Sequence, residues 1–262
     1  MSVFFRQYEI MKKIGKHNYT FIHEDCFSDR QQTWDLLTGI YRDRDNLLFL
    51  EIGSFEGRSS TWFCENLLTG HHCRLICADP HPEWTFKKNS KPFVKSGLLE
   101  HIKKPSFEAL CTLLTQNREN SFHFVYIDGC HLPQNVMEDA VLSFRLLKPG
   151  GILLFDDYTA VRSPELDVWN VNCDLDNPDY LPAKSVNMFA DVYRDLLIKI
   201  DSVDASQFCA VKKASSLPYA LICEYGGRQE FPEWVKKYHL SLIEKEKEEF
   251  EKEFQYIRQA LL

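Results

Sequence analysis

The chain has 262 residues, 44% of them apolar and 26% charged, the make-up of a soluble globular protein with one large α/β domain or two small ones. Its formal net charge of −7 argues against a general nucleic-acid binder, which needs a basic surface to neutralise phosphates. No apolar run is long enough to span a bilayer. The N-terminus, MSVFFRQYEIMKKIGK, lacks an apolar core followed by small residues, so no signal peptide is predicted. Nine scattered cysteines read as reduced, mostly buried thiols of a cytoplasmic protein.

Along the chain, residues 1–28 carry no clear pattern and read as an N-terminal extension. Ser28 or Asp29 can cap a helix through RQQTWDLLTGIYRD, with Trp34, Leu37 and Tyr41 on one stripe. LLFLEIG (47–53) is short, apolar and bounded by charge and glycine, as buried parallel strands are. A turn over Gly53–Ser60 then leads into a helix holding Trp62, Phe63 and Leu67, and RLICADP (74–80) is the second strand. Residues 81–97, with proline and several lysines, are expected to be a loop. A weak third strand at 98–104 precedes a helix at 106–114. FHFVYID (122–128) is the fourth strand, PQNVMEDAVLSFRLL (133–147) its helix, and GILLFDD (151–157) the fifth strand.

This alternation predicts a doubly wound, mostly parallel, seven-stranded Rossmann-like sheet. A helix near 185–197 and strands near 198–203 and 207–213 would complete it as a C-terminal antiparallel hairpin. The Pro-, Asp- and Asn-rich stretch 158–184 is placed as a lid, since long loops beside strand ends are usually functional. From Phe231 the sequence reads as one long helix with Trp234, Tyr238, Leu242, Phe250, Phe254, Ile257 and Leu261 on a common face. It either packs on the domain or forms a homodimer. The predicted division is an extension (1–28), a catalytic domain (29–213) and a C-terminal helical extension (214–262).

Chemistry-bearing residues gather where those strands end. Asp128 follows the fourth strand and Asp156 and Asp157 follow the fifth, with His131 close behind. Open parallel sheets bind ligands beyond the carboxyl ends of their strands. At the first strand, Gly53 permits a tight turn and the helix start after it can hold a carboxylate, while Glu51 or Glu56 could face an ammonium. Asp79 lies at the end of the second strand, placed to accept ribose hydroxyls.

Glu51-x-Gly53 with Gly57 and Ser59, Asp79, Asp128-Gly129-Cys130-His131, Leu147-Lys148-Pro149-Gly150-Gly151 and Asp156-Asp157 together resemble a class I S-adenosylmethionine-dependent methyltransferase. The order D-G-x-H, L-x-P-G-G, D-D-Y is similar to small-molecule and sugar O-methyltransferases with a metal triad. The resemblance spans about residues 30–213 and implies roles position by position. Glu51, Gly53 and Ser59 would contact the methionine part of S-adenosylmethionine, and Asp79 the ribose. Ser106 and Phe107 would lie near the adenine. Asp128, Asp156 and Asp157 would hold a divalent cation, magnesium or else calcium or manganese, and Asp128 would also face the donor. Catechol-type relatives carry a catalytic lysine three residues after the first metal ligand; His131 stands there and is the expected base. The implied substrate is a hydroxyl on a small molecule or sugar. A macromolecular acceptor and a non-catalytic assembly protein on the same fold are the competing readings.

Overall fold

The computed structural model describes residues 13–14, 17–158, 182–200 and 206–213. A two-residue antiparallel pair, β1 (Lys13–Ile14) and β2 (His17–Asn18), precedes a 3-10 turn at Ser28–Arg30 and helix α1 (Gln31–Thr38). The main body then alternates. Its elements are β3 (Leu48–Ile52), α2 (Arg58–Asn66), β4 (Arg74–Ala78), α3 (Trp84–Ser96), β5 (Leu99–Ile102), α4 (Ser106–Thr115), β6 (Phe122–Ile127), α5 (Pro133–Leu146) and β7 (Leu147–Phe155). Helix α6 (Pro182–Val192) and strands β8 (Leu197–Ile200) and β9 (Phe208–Lys212) follow.

The seven strands β3–β9 form one sheet in the order β5-β4-β3-β6-β7-β9-β8. The strands from β5 to β7 run parallel, and β9 pairs antiparallel with both β7 and β8. From β3 the chain winds outward through β4 to β5, then returns to lay β6 on the other side of β3. The carboxyl ends of β3 and β6 therefore flank the switch point at which such sheets open a crevice.

Strand alternation divides the core between the two faces of this sheet. Phe49, Phe124, Tyr126, Ile152 and Leu154 point to one face, where Trp34 and Leu37 of α1, Trp62 and Phe63 of α2 and Phe86 and Phe93 of α3 cover them. Leu50, Ile52, Val125, Ile127, Leu153 and Phe155 point to the other face, under Leu110 and Leu113 of α4, Ala140 and Phe144 of α5 and Phe189 of α6. Trp34 is the hub of the first layer. It stacks on Phe63 at 5.3 Å, meets Tyr126 edge-on at 4.7 Å, and donates its indole N–H to Gln207 Oε1 at 3.0 Å.

Three elements differ from expectation. Residues 84–96, expected as a loop, are helix α3; its buried stripe is Thr85, Phe86, Asn89, Ser90 and Phe93, so the helical period is carried largely by polar residues. Pro92 inside it forgoes only one intrahelical hydrogen bond, and Gly97 in the left-handed region (φ +79°) ends it. Strand β7 begins at Leu147 rather than 151, because the Lys-Pro-Gly-Gly segment continues the strand with Gly150 at φ +80°. Helix α6 spans 182–192 rather than 185–197. Residues 19–27 also pack into the core, with Tyr19, Phe21 and Phe27 buried. Of the lid expected over 158–184, residues 182–184 instead open helix α6, and 159–181 lie outside the described residues, as does the long helix expected from 231.

Candidate active site

The end of β3 turns through Gly53 at φ +79°, and a Cβ there would sit 2.0 Å from the Asp128 carbonyl oxygen. Only glycine allows β3 and β6 to run this close at the switch point. Gly57, also left-handed at φ +80°, then starts α2. Beneath this turn Glu51 is fully enclosed. It accepts hydrogen bonds from Ser59 Oγ and Ser60 Oγ, from Ser54 Oγ at 3.3 Å and from Cys77 Sγ at 3.2 Å. Burial raises its pKa, against the pull of those donors. Glu51 thus fixes the hydroxyls at the start of α2. Glu56 is equally buried and faces protein groups, accepting the Ile22 and His23 backbone N–H groups at 2.7 and 3.2 Å.

Asp79, at the end of β4, accepts the backbone N–H groups of Ser54 and Phe55 at 2.9 and 3.1 Å through Oδ2, and that of His81 at 2.8 Å through Oδ1. It ties the turn after β3 to the turn after β4 while remaining partly exposed. Ser106 opens α4, and Phe107 beside it is 52% exposed. Phe86 is buried against the His101 ring at 5.0 Å.

Beyond β6 and β7 the acids converge. Tyr126 Oη donates to Asp128 Oδ2 at 3.0 Å and also to Asp156 Oδ2. Arg30, from the 3-10 turn before α1, pairs with the same Asp156 oxygen. The Asp157 backbone N–H donates to Asp156 Oδ1 at 2.8 Å. Asp157 itself has φ +53°, a left-handed conformation that aspartate tolerates better than most residues, and its Oδ2 lies 2.9 Å from His131 Nε2. One ligand atom each from Asp128, His131 and Asp157 lie within 4.8 Å of one another.

The electrostatics follow from crowding. Burial, then the charges of Asp156 and Asp157, push the Asp128 carboxyl well above its ordinary pKa. Burial also raises Asp156, with Arg30 opposing and Asp157 adding to the rise. Tyr126 is held as a neutral donor, because burial and the two neighbouring carboxylates push its pKa well up. For Arg30, burial works against the charge, but Asp156 leads a set of anionic neighbours that raise its pKa overall. Three carboxylates against one guanidinium leave a site that a divalent cation would neutralise. Two carboxylates and an imidazole within ligand distance fit such an ion, with manganese better suited than calcium to the nitrogen.

The structure therefore brings Asp128, His131, Asp156 and Asp157 together, with Gly53 against Asp128, and places Glu51, Ser59 and Asp79 around the adjoining turn. Tyr126 and Arg30 were not anticipated. Tyr126 was readable, since residues two apart in a strand share a face, which puts its ring on the Asp128 side. Arg30 carried no signal, being 126 positions from Asp156. Asp139 on α5 was also missed, although it interrupts the apolar stripe Val136, Ala140, Phe144.

Residues 50–158 match the family model described as a methyltransferase domain. An uncharacterized protein of Acanthamoeba polyphaga mimivirus is 31% identical over 150 residues, covering 54% of this chain and 66% of its own length. "Probable caffeoyl-CoA O-methyltransferase 2" of Dictyostelium discoideum is 30% identical over 111 residues, covering 41% of this chain and 46% of its own. The chain thus spans about half to two thirds of the curated relatives it matches. Among solved structures, MycE methyltransferase from the mycinamycin biosynthetic pathway, in complex with Mg, SAH and mycinamycin VI, shares the fold at a TM-score of 0.51 and 16% identity, covering 70% of this chain and 49% of its own. No helix among the described residues is long and apolar enough to cross a membrane. The switch-point crevice and the match to a methyltransferase domain fall on the same segment, residues 50–158.

Proposed function

We propose that the protein transfers the methyl group of S-adenosylmethionine to a hydroxyl of a small molecule or sugar, with a divalent cation at the acidic cluster. The observation that carries this reading is the meeting of Asp128, Asp156, Asp157 and His131 beside the glycine turn that follows β3. Gly53 and Ser59, with Glu51 behind the serines, form the berth for the methionine end. Asp79 takes the ribose, and Ser106 and Phe107 the adenine. The complex of MycE with Mg, SAH and mycinamycin VI supports an acceptor of small-molecule size.

Methyl transfer from a sulfonium is an in-line displacement, so alignment of nucleophile and methyl carbon dominates catalysis. An acceptor hydroxyl is a weak nucleophile until it loses its proton. A divalent cation held by Asp128 and Asp157 would bind that hydroxyl and lower its pKa; Asp156 joins the ligands only if its carboxylate leaves Arg30. His131, oriented by its Nε2–H on Asp157 Oδ2 at 2.9 Å, would take the proton at Nδ1, and the same carboxylate stabilises the imidazolium that forms.

Titration calorimetry of the purified chain with S-adenosylmethionine, with and without magnesium, tests the reading. Binding is expected, and it should be weakened by Asp79→Ala. Absence of binding heat under both conditions would refute the donor assignment.

A further inference from the structure

Asp156 is the least available of the three acids. It is 6% exposed and spends one oxygen on Arg30 and Tyr126 Oη and the other on the Asp157 backbone N–H. Asp128 and Asp157 face a common point with His131, and Asp156 is outside that convergent set among the described residues. Arg30 is itself fixed by well-packed neighbours. Phe27, three residues before it, is buried edge-on to Trp34 at 4.9 Å and Trp62 at 5.8 Å. Asp25 accepts the Phe27 and Ser28 backbone N–H groups at 3.2 and 2.9 Å, and lies 3.4 Å from Arg58. The guanidinium therefore arrives from a rigid segment, 126 positions away in sequence, at one carboxylate of the cluster.

We propose that Arg30 is a positioning residue, a resident counter-ion that keeps Asp156 out of the cation-binding set and leaves Asp128 and Asp157 as the carboxylate ligands. This rests on the cation reading above and deepens it. The physical ground is competition for one buried anion. A guanidinium that never loses its proton, already paired with Asp156, must be displaced before a metal can take that carboxylate. A buried pair broken by removing one partner leaves an uncompensated charge, and a nearby divalent ion is a ready replacement. With Arg30 present the cluster carries two net negative charges, matched to one divalent ion; without it the cluster carries three and Asp156 becomes a further ligand.

Mn2+ binding to the full chain, followed by the loss of the free-ion electron paramagnetic resonance signal, tests this without reference to turnover. Arg30→Met should tighten Mn2+ binding by about tenfold or more, as expected for a carboxylate a few ångströms from the ion that is no longer compensated. Arg30→Lys should restore affinity towards wild type. Asp156→Asn, which leaves one net negative charge and an unpaired Arg30, should weaken binding by about tenfold without abolishing it, while Asp128→Asn and Asp157→Asn should each abolish binding. The double variant Arg30→Met/Asp156→Asn, which removes both charges, keeps two net negative charges and guards against misfolding of the single variant, should bind as wild type does. If Asp156→Asn abolishes binding as completely as Asp128→Asn and Arg30→Met changes nothing, Asp156 is an ordinary ligand and the proposal is overturned while the cation reading stands. If neither wild type nor Arg30→Met binds Mn2+, the cation reading fails and this proposal with it.

Discussion

Asp139 shows how one side chain can work against the fold that contains it. Its carboxylate, 1% exposed on α5, has no hydrogen-bond partner at either oxygen among the described residues. Ser106 lies close enough to favour the charge weakly, and Gly129 would bring a Cβ within 3.8 Å of it. Burial dominates and pushes the pKa up to about 7. In the unfolded chain the group titrates near 3.9, so above neutral pH folding must bury a charge that Ser106 only partly offsets. Asp139→Asn removes that charge at nearly constant shape. Urea denaturation should find the variant more stable than wild type by roughly 2 kcal/mol at pH 8, with the gap closing towards pH 5, where the native carboxyl holds its proton. A variant less stable at pH 8 would mean that the carboxylate has a role as an anion, such as fixing the start of α4.

Between residues and the whole chain, the element that matters most for the site is the segment 19–30 that carries Arg30. Its attachment depends on Glu56, which accepts two of its backbone N–H groups and the Thr85 hydroxyl at 3.2 Å, with Arg58 at 3.8 Å. Arg58 in turn donates to the His23 carbonyl at 2.8 Å and lies 4.0 Å over the Phe21 ring. Glu56→Ala should cost about 3 kcal/mol, since it strands buried donors and an arginine at once. Hydrogen exchange at Ile22 and His23 should accelerate by about 100-fold or more, well beyond that of the β3 and β6 amides; equal acceleration everywhere would show that the segment opens only with the entire fold. None of this was visible in the sequence, where residues 1–28 lack periodicity and Glu56 reads as one more acid near a ligand. Helix α3 escaped for a related reason. Thr85, Asn89 and Ser90 fill its buried stripe and Pro92 interrupts it, so pattern and propensity both pointed away from a helix that tertiary contacts nevertheless stabilise. The apolar runs β3, β4, β6 and β7 were legible because burial on both faces leaves little but Phe, Leu, Ile and Val.

For the molecule as a whole, the strand ends announced where acids would meet, since each carboxylate follows an apolar run that can only be a central strand. What spacing could not disclose is the balance of charge there, because Arg30 reaches Asp156 through tertiary structure alone. That balance sets the pH response of the entire fold. Glu51, Asp128, Asp139 and Asp156 all have raised pKa values, burial being the first cause in each. A carboxyl that keeps its proton longer folded than unfolded contributes stability that is lost as pH rises from about 4 through its folded pKa, which for Asp139 is about 7. His123 has the opposite sign. Burial, aided by Lys148 and Arg44, lowers its pKa to about 3, so its contribution is present above about 6.5 and fades as pH falls towards 3. Between pH 6 and pH 8 the folded state loses the Asp139 proton, whereas folded His123 is neutral throughout. Metal-free protein should therefore melt at a lower temperature at pH 8 than at pH 6, the reverse of the usual acid destabilisation. Adding Mn2+ at pH 8 should recover part of the difference, because a bound cation relieves the repulsion among Asp128, Asp156 and Asp157 that protons relieve at pH 6. Asp139→Asn should shrink the pH dependence without altering the manganese effect, and His123→Gln should steepen the fall towards pH 8. A melting temperature that instead rises from pH 6 to pH 8 in chelator would show that the cluster is neutralised by protein groups alone, leaving no electrostatic demand for a cation.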